Sequence, residues 1–173
     1  MKKCATFTGF ALLCFLFFPI NGHAAEPPQY FLQAQWDETQ KELIATEKVV
    51  FTNPTSKPLK ELYFYIYPHR QYTTKEKEFL SKLGGYLKVQ PFPEGFQSGD
   101  LEIVSIGQGE APLSFQVEGD DQTLLKVSLP QELPPGGQIE IHLSFKVKVP
   151  HAYGRFGWHE NIIKLSRWYP ILA

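Results

Sequence analysis

The string with the strongest chemical look is His159-Glu160-Asn161-Ile162-Ile163, which opens like the metal-binding pattern H-E-x-x-H. That pattern works because two histidines one helical turn apart grip Zn²⁺ from one helix face, while the glutamate between them serves as a base. Here the second histidine position is Ile163, which cannot be a ligand, and Gly154, Gly157 and the β-branched residues nearby make a poor helix. The remaining histidines stand alone. His142 falls among alternating polar residues, and His69 and His151 adjoin prolines, with no second histidine two or four positions on. Ser98-Gly99-Asp100 and Ser166-Arg167 lack the G-x-S-x-G elbow that exposes a nucleophilic serine. Neither a G-x-x-x-x-G-K-S/T phosphate loop nor a G-x-G-x-x-G fingerprint occurs, and Gly107-Gln108-Gly109 reads as a turn. Glu118, Asp120 and Asp121 could hold Ca²⁺ through carboxylate oxygens, but an acidic turn between strands is ordinarily just solvated.

The start of the chain has the grammar of an export signal. Lys2 and Lys3 precede an apolar run, Phe10-Ala-Leu-Leu-Cys-Phe-Leu-Phe-Phe-Pro-Ile20, and small residues follow at Gly22, Ala24 and Ala25. The run is too short for a membrane span, which needs about 20 apolar residues, and Pro19 interrupts it. Residues 1–24 are therefore expected to be a signal peptide cleaved after Ala24, or else after Ala25, with an uncleaved membrane anchor as the alternative, and the protein is expected to be secreted, periplasmic or held at the cell surface. Cys14 sits inside the apolar run, not behind small residues, so it is a poor lipid acceptor. Cys4 and Cys14 are the only cysteines, so residues 25–173 contain neither a disulfide nor a thiol nucleophile. With 17 basic and 18 acidic residues overall, the chain offers no basic cluster for nucleic acid.

The elements that must position any site are strands. Phe31, Ala34 and Trp36 lie in an aromatic-rich run that turns at Asp37-Glu38-Thr39-Gln40 into Leu43–Phe51, which stops at Thr52-Asn53-Pro54. Leu59, Leu62, Phe64 and Ile66 recur near period two, with Tyr63, Tyr65 and Tyr67 on the other face. Further strands are predicted over 101–106, 112–117 and 123–129, broken at Gly107, Glu118–Asp121 and Pro130. The clearest alternation places Ile139, Ile141, Leu143, Phe145, Val147 and Val149 on one face, with Glu140, His142, Ser144, Lys146 and Lys148 on the other. Residues 68–100 differ in kind: Thr74–Leu83 predicts a short surface helix capped by Thr74 and ended by Gly84-Gly85, followed by a Pro- and Gly-rich loop. Short strands about ten residues apart predict a single all-β domain over 25–173, an antiparallel sandwich or saddle-like open barrel with one helical insertion.

The last segment concentrates residues that dominate interfaces: Arg155, Phe156 and Trp158, then Arg167, Trp168 and Tyr169. They either plug one end of the sandwich or form a contact surface for a partner.

The order Phe51-Thr-Asn-Pro54, Pro58-Leu-Lys-Glu-Leu-Tyr-Phe-Tyr-Ile-Tyr-Pro68, Leu133-Pro-Pro-Gly-Gly-Gln-Ile-Glu-Ile-His-Leu-Ser-Phe145, Val149-Pro150 to Arg155-Phe-Gly157, and Trp168-Tyr-Pro170 resembles the N-terminal β domain of aminopeptidase N-type zinc metallopeptidases, peptidase family M1. The resemblance spans roughly residues 30–173. It implies a saddle-like β domain that precedes a thermolysin-like catalytic domain bearing H-E-x-x-H, a further Glu ligand and G-x-M-E-N. None of those motifs occurs in this sequence. The resemblance therefore assigns no catalytic or metal-binding residue here, and places zinc only in the absent catalytic domain. What it implies is a non-catalytic piece of an exported, truncated or split aminopeptidase, with that catalytic domain as partner. The alternative is a free-standing module that holds a peptide, glycan or protein, with Tyr63, Tyr65 and Tyr67 on its exposed strand face.

Overall fold

The computed structural model describes residues 26–88 and 90–173, so the expected signal peptide lies outside the described residues. The longest apolar alternation forms the centre of the molecule. Strand β8 (Gln138–Lys148) pairs antiparallel with β2 (Glu42–Thr52) over eleven residues without a slip. β1 (Gln29–Asp37) flanks β2, and β4 (Asp100–Gln108) with the short β5 (Ala111–Pro112) flanks β8, giving a five-stranded sheet in the order β1-β2-β8-β4-β5. A second sheet runs β11-β3-β7-β6, from Ile171–Leu172, Leu59–Tyr65, Leu124–Leu133 and Phe115–Glu118. The remaining strands, β9 (Phe156–His159) and β10 (Ile162–Leu165), form a separate hairpin.

The two sheets close on one apolar cluster. Ile139, Ile141, Leu143, Phe145 and Val147 of β8 meet Leu62 and Phe64 of β3 and Leu125 and Val127 of β7, all buried. Burying each such side chain is worth about 1.5–3 kcal/mol, so β8 alone contributes on the order of 10 kcal/mol against the entropy of ordering it. The protein is an all-β antiparallel sandwich with one helix among the described residues.

Five local expectations are corrected, the first at Gly107, which does not end its strand but still pairs with His142 and Pro112 as β4 runs on to Gln108. Helix α1 (Thr74–Leu87) does not stop at Gly84-Gly85 but runs through both glycines and ends at Lys88 in the left-handed region, φ 52°. Its cap is Thr73, not Thr74: the Thr73 hydroxyl accepts from the Glu76 N–H while the Glu76 carboxylate accepts from the Thr73 N–H, a reciprocal capping box. Pro130 does not break its strand either. Between Leu59↔Leu133 and Glu61↔Ser128 the register slips, so β7 bulges around the residue that has no N–H to donate. The run 112–117 is split, because the chain crosses from one sheet to the other at Leu113-Ser114. There Leu113 N–H donates to Ile106 O and Ser128 N–H to Ser114 O.

Two polar residues inside the fold behave oppositely. Asn53, 1 % exposed, donates its amide to Lys57 O at 2.8 Å and Leu133 O at 2.9 Å, and its side-chain oxygen accepts from Thr55 N–H. Its own N–H reaches Gly137 O and its carbonyl takes Gly136 N–H, so one residue ties the end of β2 to the turns before β3 and β8. Glu47, 2 % exposed, instead sits between Leu32 and Leu143 on the inner face, and neither carboxyl oxygen has a partner. Burial pushes its carboxyl up to about 8.

Candidate functional site

The C-terminal segment locks both sheets before it offers anything to solvent. β11 adds to the edge of β3, with Ala173 N–H donating to Tyr63 O, while Leu172 N–H donates to the Tyr30 hydroxyl of β1 at 3.1 Å. Trp168 packs against Phe145 with ring centres 6.1 Å apart, and Tyr169 meets Tyr30 edge-on at 5.8 Å. Trp158 is half-buried, with Lys41 Nζ over its ring at 4.5 Å and His151 stacked on it at 4.2 Å. The four aromatics anticipated at this end, Phe156, Trp158, Trp168 and Tyr169, are thus all half-buried against the core, whereas Arg155 and Arg167 are exposed.

Those two arginines have a third companion that the sequence does not announce. Arg70, just past the 3-10 turn Tyr67–His69, lines a cavity of about 230 Å³ together with Arg155, Arg167, Ser166, Tyr67 and Tyr72. Tyr67 and Tyr72 carry the cations: the Arg167 guanidinium lies 4.9 Å above the Tyr67 ring and that of Arg70 5.1 Å above Tyr72. Tyr67 in turn stacks on Tyr65 at 5.3 Å. The hairpin fixes the spacing, because Ser166 N–H donates to Arg155 O one step beyond the last β9–β10 pair.

The cavity is short of negative charge. Glu76 accepts from Arg70 Nη2 at 2.8 Å, and its carboxyl is held below the usual range, chiefly by the N–H of Thr73, then by the Thr73 hydroxyl, with Arg70 adding to them. Arg70 Nε is buried with no partner, and among the described residues no carboxylate lies within 4.0 Å of Arg155 or Arg167. A wider groove of about 470 Å³ opens beside it, lined by Tyr72, Phe92, Phe96 and Phe156, and it shares Arg70 with the cavity. Phe96 meets Tyr72 at 4.9 Å and Phe92 at 5.1 Å, both edge-on, so the residue before the cap of α1 and the loop after the helix supply an aromatic wall, with Leu80 and Leu83 of the helix beside it.

The H-E-x-x-H look-alike falls at the tip of the hairpin. His159 ends β9, and Glu160, at φ 51°, is in the turn, so the string forms no helix. His159 does find a second histidine: Nδ1 lies 3.2 Å from Nε2 of His151, Tyr153 OH contacts its Nε2, and Glu94 lies 3.5 Å from His151 Nδ1. A single proton direction satisfies the chain, with Tyr153 donating to His159 and His159 to His151. Among the described residues, no three His, Cys, Asp or Glu side chains gather as a metal-holding group. His69 pairs with Asp100 at 2.6 Å, and His142 with Glu140 at 2.8 Å on the outer face of β8. The acidic turn at Glu118–Asp121 is used internally: Asp121 accepts from Thr123, and Glu118 pairs with Lys126. The three tyrosines expected on one strand face do not share it: Tyr63 donates to Glu61 and Tyr65 ends β3, whereas Tyr67 lies in the 3-10 turn beyond the strand and stacks on Tyr65.

Beyond the cavity, the hairpin exposes apolar side chains on both of its faces. Ile162 is 59 % and Ile163 39 % exposed on opposite faces of β10, and Tyr153, just before the hairpin, is 51 % exposed. No helix among the described residues is long and apolar enough to cross a membrane.

No protein-family model and no curated protein matches the chain. Among solved structures it is similar to the carbohydrate-binding module CBM3b of the cellulosomal cellobiohydrolase 9A from Clostridium thermocellum. The likeness is at 18 % identity over 79 % of this chain and 84 % of that one, with a TM-score of 0.27. A likeness that low transfers no ligand.

Proposed function

We propose that the chain is the non-catalytic N-terminal β domain of an exported M1-type zinc metallopeptidase, and that it supports assembly and substrate binding of the catalytic domain in hydrolysis at peptide N-termini. The observation that carries this reading is spatial. Runs that resemble that family are far apart in sequence yet knit into one frame: Asn53 of the first run bonds to Leu133 and Gly137 of the third. The strand that follows Trp168-Tyr-Pro170 in turn pairs with β3 of the second. Co-occurrence of such runs has a physical cause, since each makes hydrogen bonds only the others can supply. On this reading no step of the chemistry falls to this chain. Its part is to present the β9–β10 hairpin and the arginine rim to a partner.

The test is to mix the chain with the separately expressed thermolysin-like catalytic domain encoded in the same genome. Size-exclusion chromatography and hydrolysis of alanyl-nitroanilide are the readouts. The chain alone is expected to give no turnover and the pair to co-elute, with Ile162→Asp/Ile163→Asp weakening association by about tenfold or more. Separate elution at tens of micromolar, with kcat/KM of the catalytic domain unmoved by the chain, refutes the reading.

A second reading, a free-standing module for a peptide, glycan or protein, is favoured by one feature: the aromatic groove that opens onto Arg70. Peptide and glycan arrays at background level would remove it.

A further inference from the structure

The chain contains 17 basic residues, but only three are arginines, and all three line the same 230 Å³ cavity. They arrive from separate places: Arg70 after β3, Arg155 before β9 and Arg167 after β10. No lysine among the described residues lines that cavity, so the convergence concerns the guanidinium group and not positive charge in general. A guanidinium differs from an ammonium in its planar fork, which grips two oxygens at once and keeps its charge at any pH. With Tyr67 and Tyr72 against the faces of Arg167 and Arg70, acceptors must approach in the guanidinium planes, where Glu76 already takes Arg70 Nη2 and the other N–H groups remain. One such group, Arg70 Nε, is buried and unpartnered. Three cations held together against one carboxylate, Glu76, leave a surplus of two positive charges that the fold itself does not neutralise.

We propose that this cavity binds a doubly charged oxyanion, of the phosphomonoester or dicarboxylate class, whose apolar body lies in the adjoining groove of Tyr72, Phe92, Phe96 and Phe156. The charge of the head matches the surplus, the fork geometry matches its oxygens, and Ser166 adds a neutral donor. The groove shares Arg70, Tyr72 and Phe156 with the cavity, so one ligand reaches both. The site stands whether the chain serves a catalytic domain or acts alone, and its test uses residues other than Ile162 and Ile163.

Calorimetry on the chain with phenyl phosphate, isophthalate and inorganic phosphate tests it. Phenyl phosphate or isophthalate is expected to bind about tenfold tighter than inorganic phosphate, and the better of the two names the head group. Arg155→Ala and Arg167→Ala are each expected to weaken binding by about tenfold or more, with partial recovery in Arg155→Lys, while Lys60→Ala, which only breaks an exposed pair with Glu132, leaves it unchanged. Phenyl phosphate binding should also weaken as pH falls through about 6, where its second charge is lost. Circular dichroism melts establish that each variant is folded. No saturable heat from any probe up to about 10 mM, or an Arg155→Ala/Arg167→Ala variant that binds like the parent, overturns the proposal. Equal affinity for inorganic phosphate and phenyl phosphate overturns its apolar half.

Discussion

Replacing Glu47 by glutamine should make the protein more stable at neutral and alkaline pH while changing little at pH 5. Glu47 is 2 % exposed between Leu32 and Leu143, with both carboxyl oxygens unpaired, and burial lifts its carboxyl to about 8 from an ordinary 4.5. Between those values the folded chain holds a proton that the unfolded chain releases, so stability falls as pH rises. The slope is about 1.4 kcal/mol per pH unit, which costs roughly 3 kcal/mol between pH 5 and pH 7 and on the order of 5 kcal/mol across the whole window. Glutamine is neutral throughout and keeps the shape. The difference between variant and parent should therefore grow from near zero at pH 5 to roughly 4 kcal/mol at pH 8. Other groups that titrate in this range cancel in the difference. Urea unfolding followed by tryptophan fluorescence reads it directly: with a slope near 2 kcal/mol/M, 3 kcal/mol moves the midpoint by about 1.5 M. A variant-minus-parent difference that stays flat from pH 5 to pH 8 refutes the reasoning.

Three further substitutions probe the frame. Asn53→Ala removes the side chain that serves Lys57 O, Leu133 O and Thr55 N–H at once, and should cost about 3 kcal/mol, read as a lowered thermal midpoint with an unchanged urea slope. Gly157→Ala places a methyl 2.5 Å from Ala152 O and should cost about 2 kcal/mol by pushing β9 off the preceding loop; anion binding should weaken with it, because Phe156 begins that strand and Arg155 leads directly into it. Thr73→Ala removes the cap hydroxyl of α1 and should speed amide exchange in its first turn, with a loss of about 1 kcal/mol in helix stability; unchanged exchange would show that the capping box is not what holds this end.

What could be read in the sequence is what repeats locally. The alternation over 139–149 names the inward face of β8 residue by residue, because one side of a sheet is core and the other is wet. The turn at 37–40 and the existence of α1 are local in the same sense. The Thr73 cap was also local, since Thr73-x-x-Glu76 spells a capping box, but the other departures come from contacts that no local window contains. Gly84-Gly85 looks like a stop, yet Leu80 and Leu83 wall the aromatic groove, and that packing carries the helix four residues further. Pro130 survives because the partner strand accepts a bulge, and 112–117 divides because its two halves serve different sheets. The arginine cavity follows the same rule. Arg155 and Arg167 stand out beside tryptophans, but Arg70 is separated from them by 85 residues or more. Scarcity was the available signal, since three arginines against fourteen lysines marks positions where lysine was not used.

The division of labour at the C-terminal end decides which variants inform on function. Trp168 and Tyr169 look like interface residues by type, but they brace Phe145 and Tyr30, so truncating either one opens the core and lowers stability whatever the partner. A lost interaction in such a variant cannot be separated from a lost fold. Arg155, Arg167 and Ile162 are exposed and outside the buried cluster, with Arg167 lying over the Tyr67 ring. They can be changed with the frame intact. Any binding the chain performs at this end must therefore be read from the arginines and the hairpin tip, with the tryptophans as the support that holds them in register.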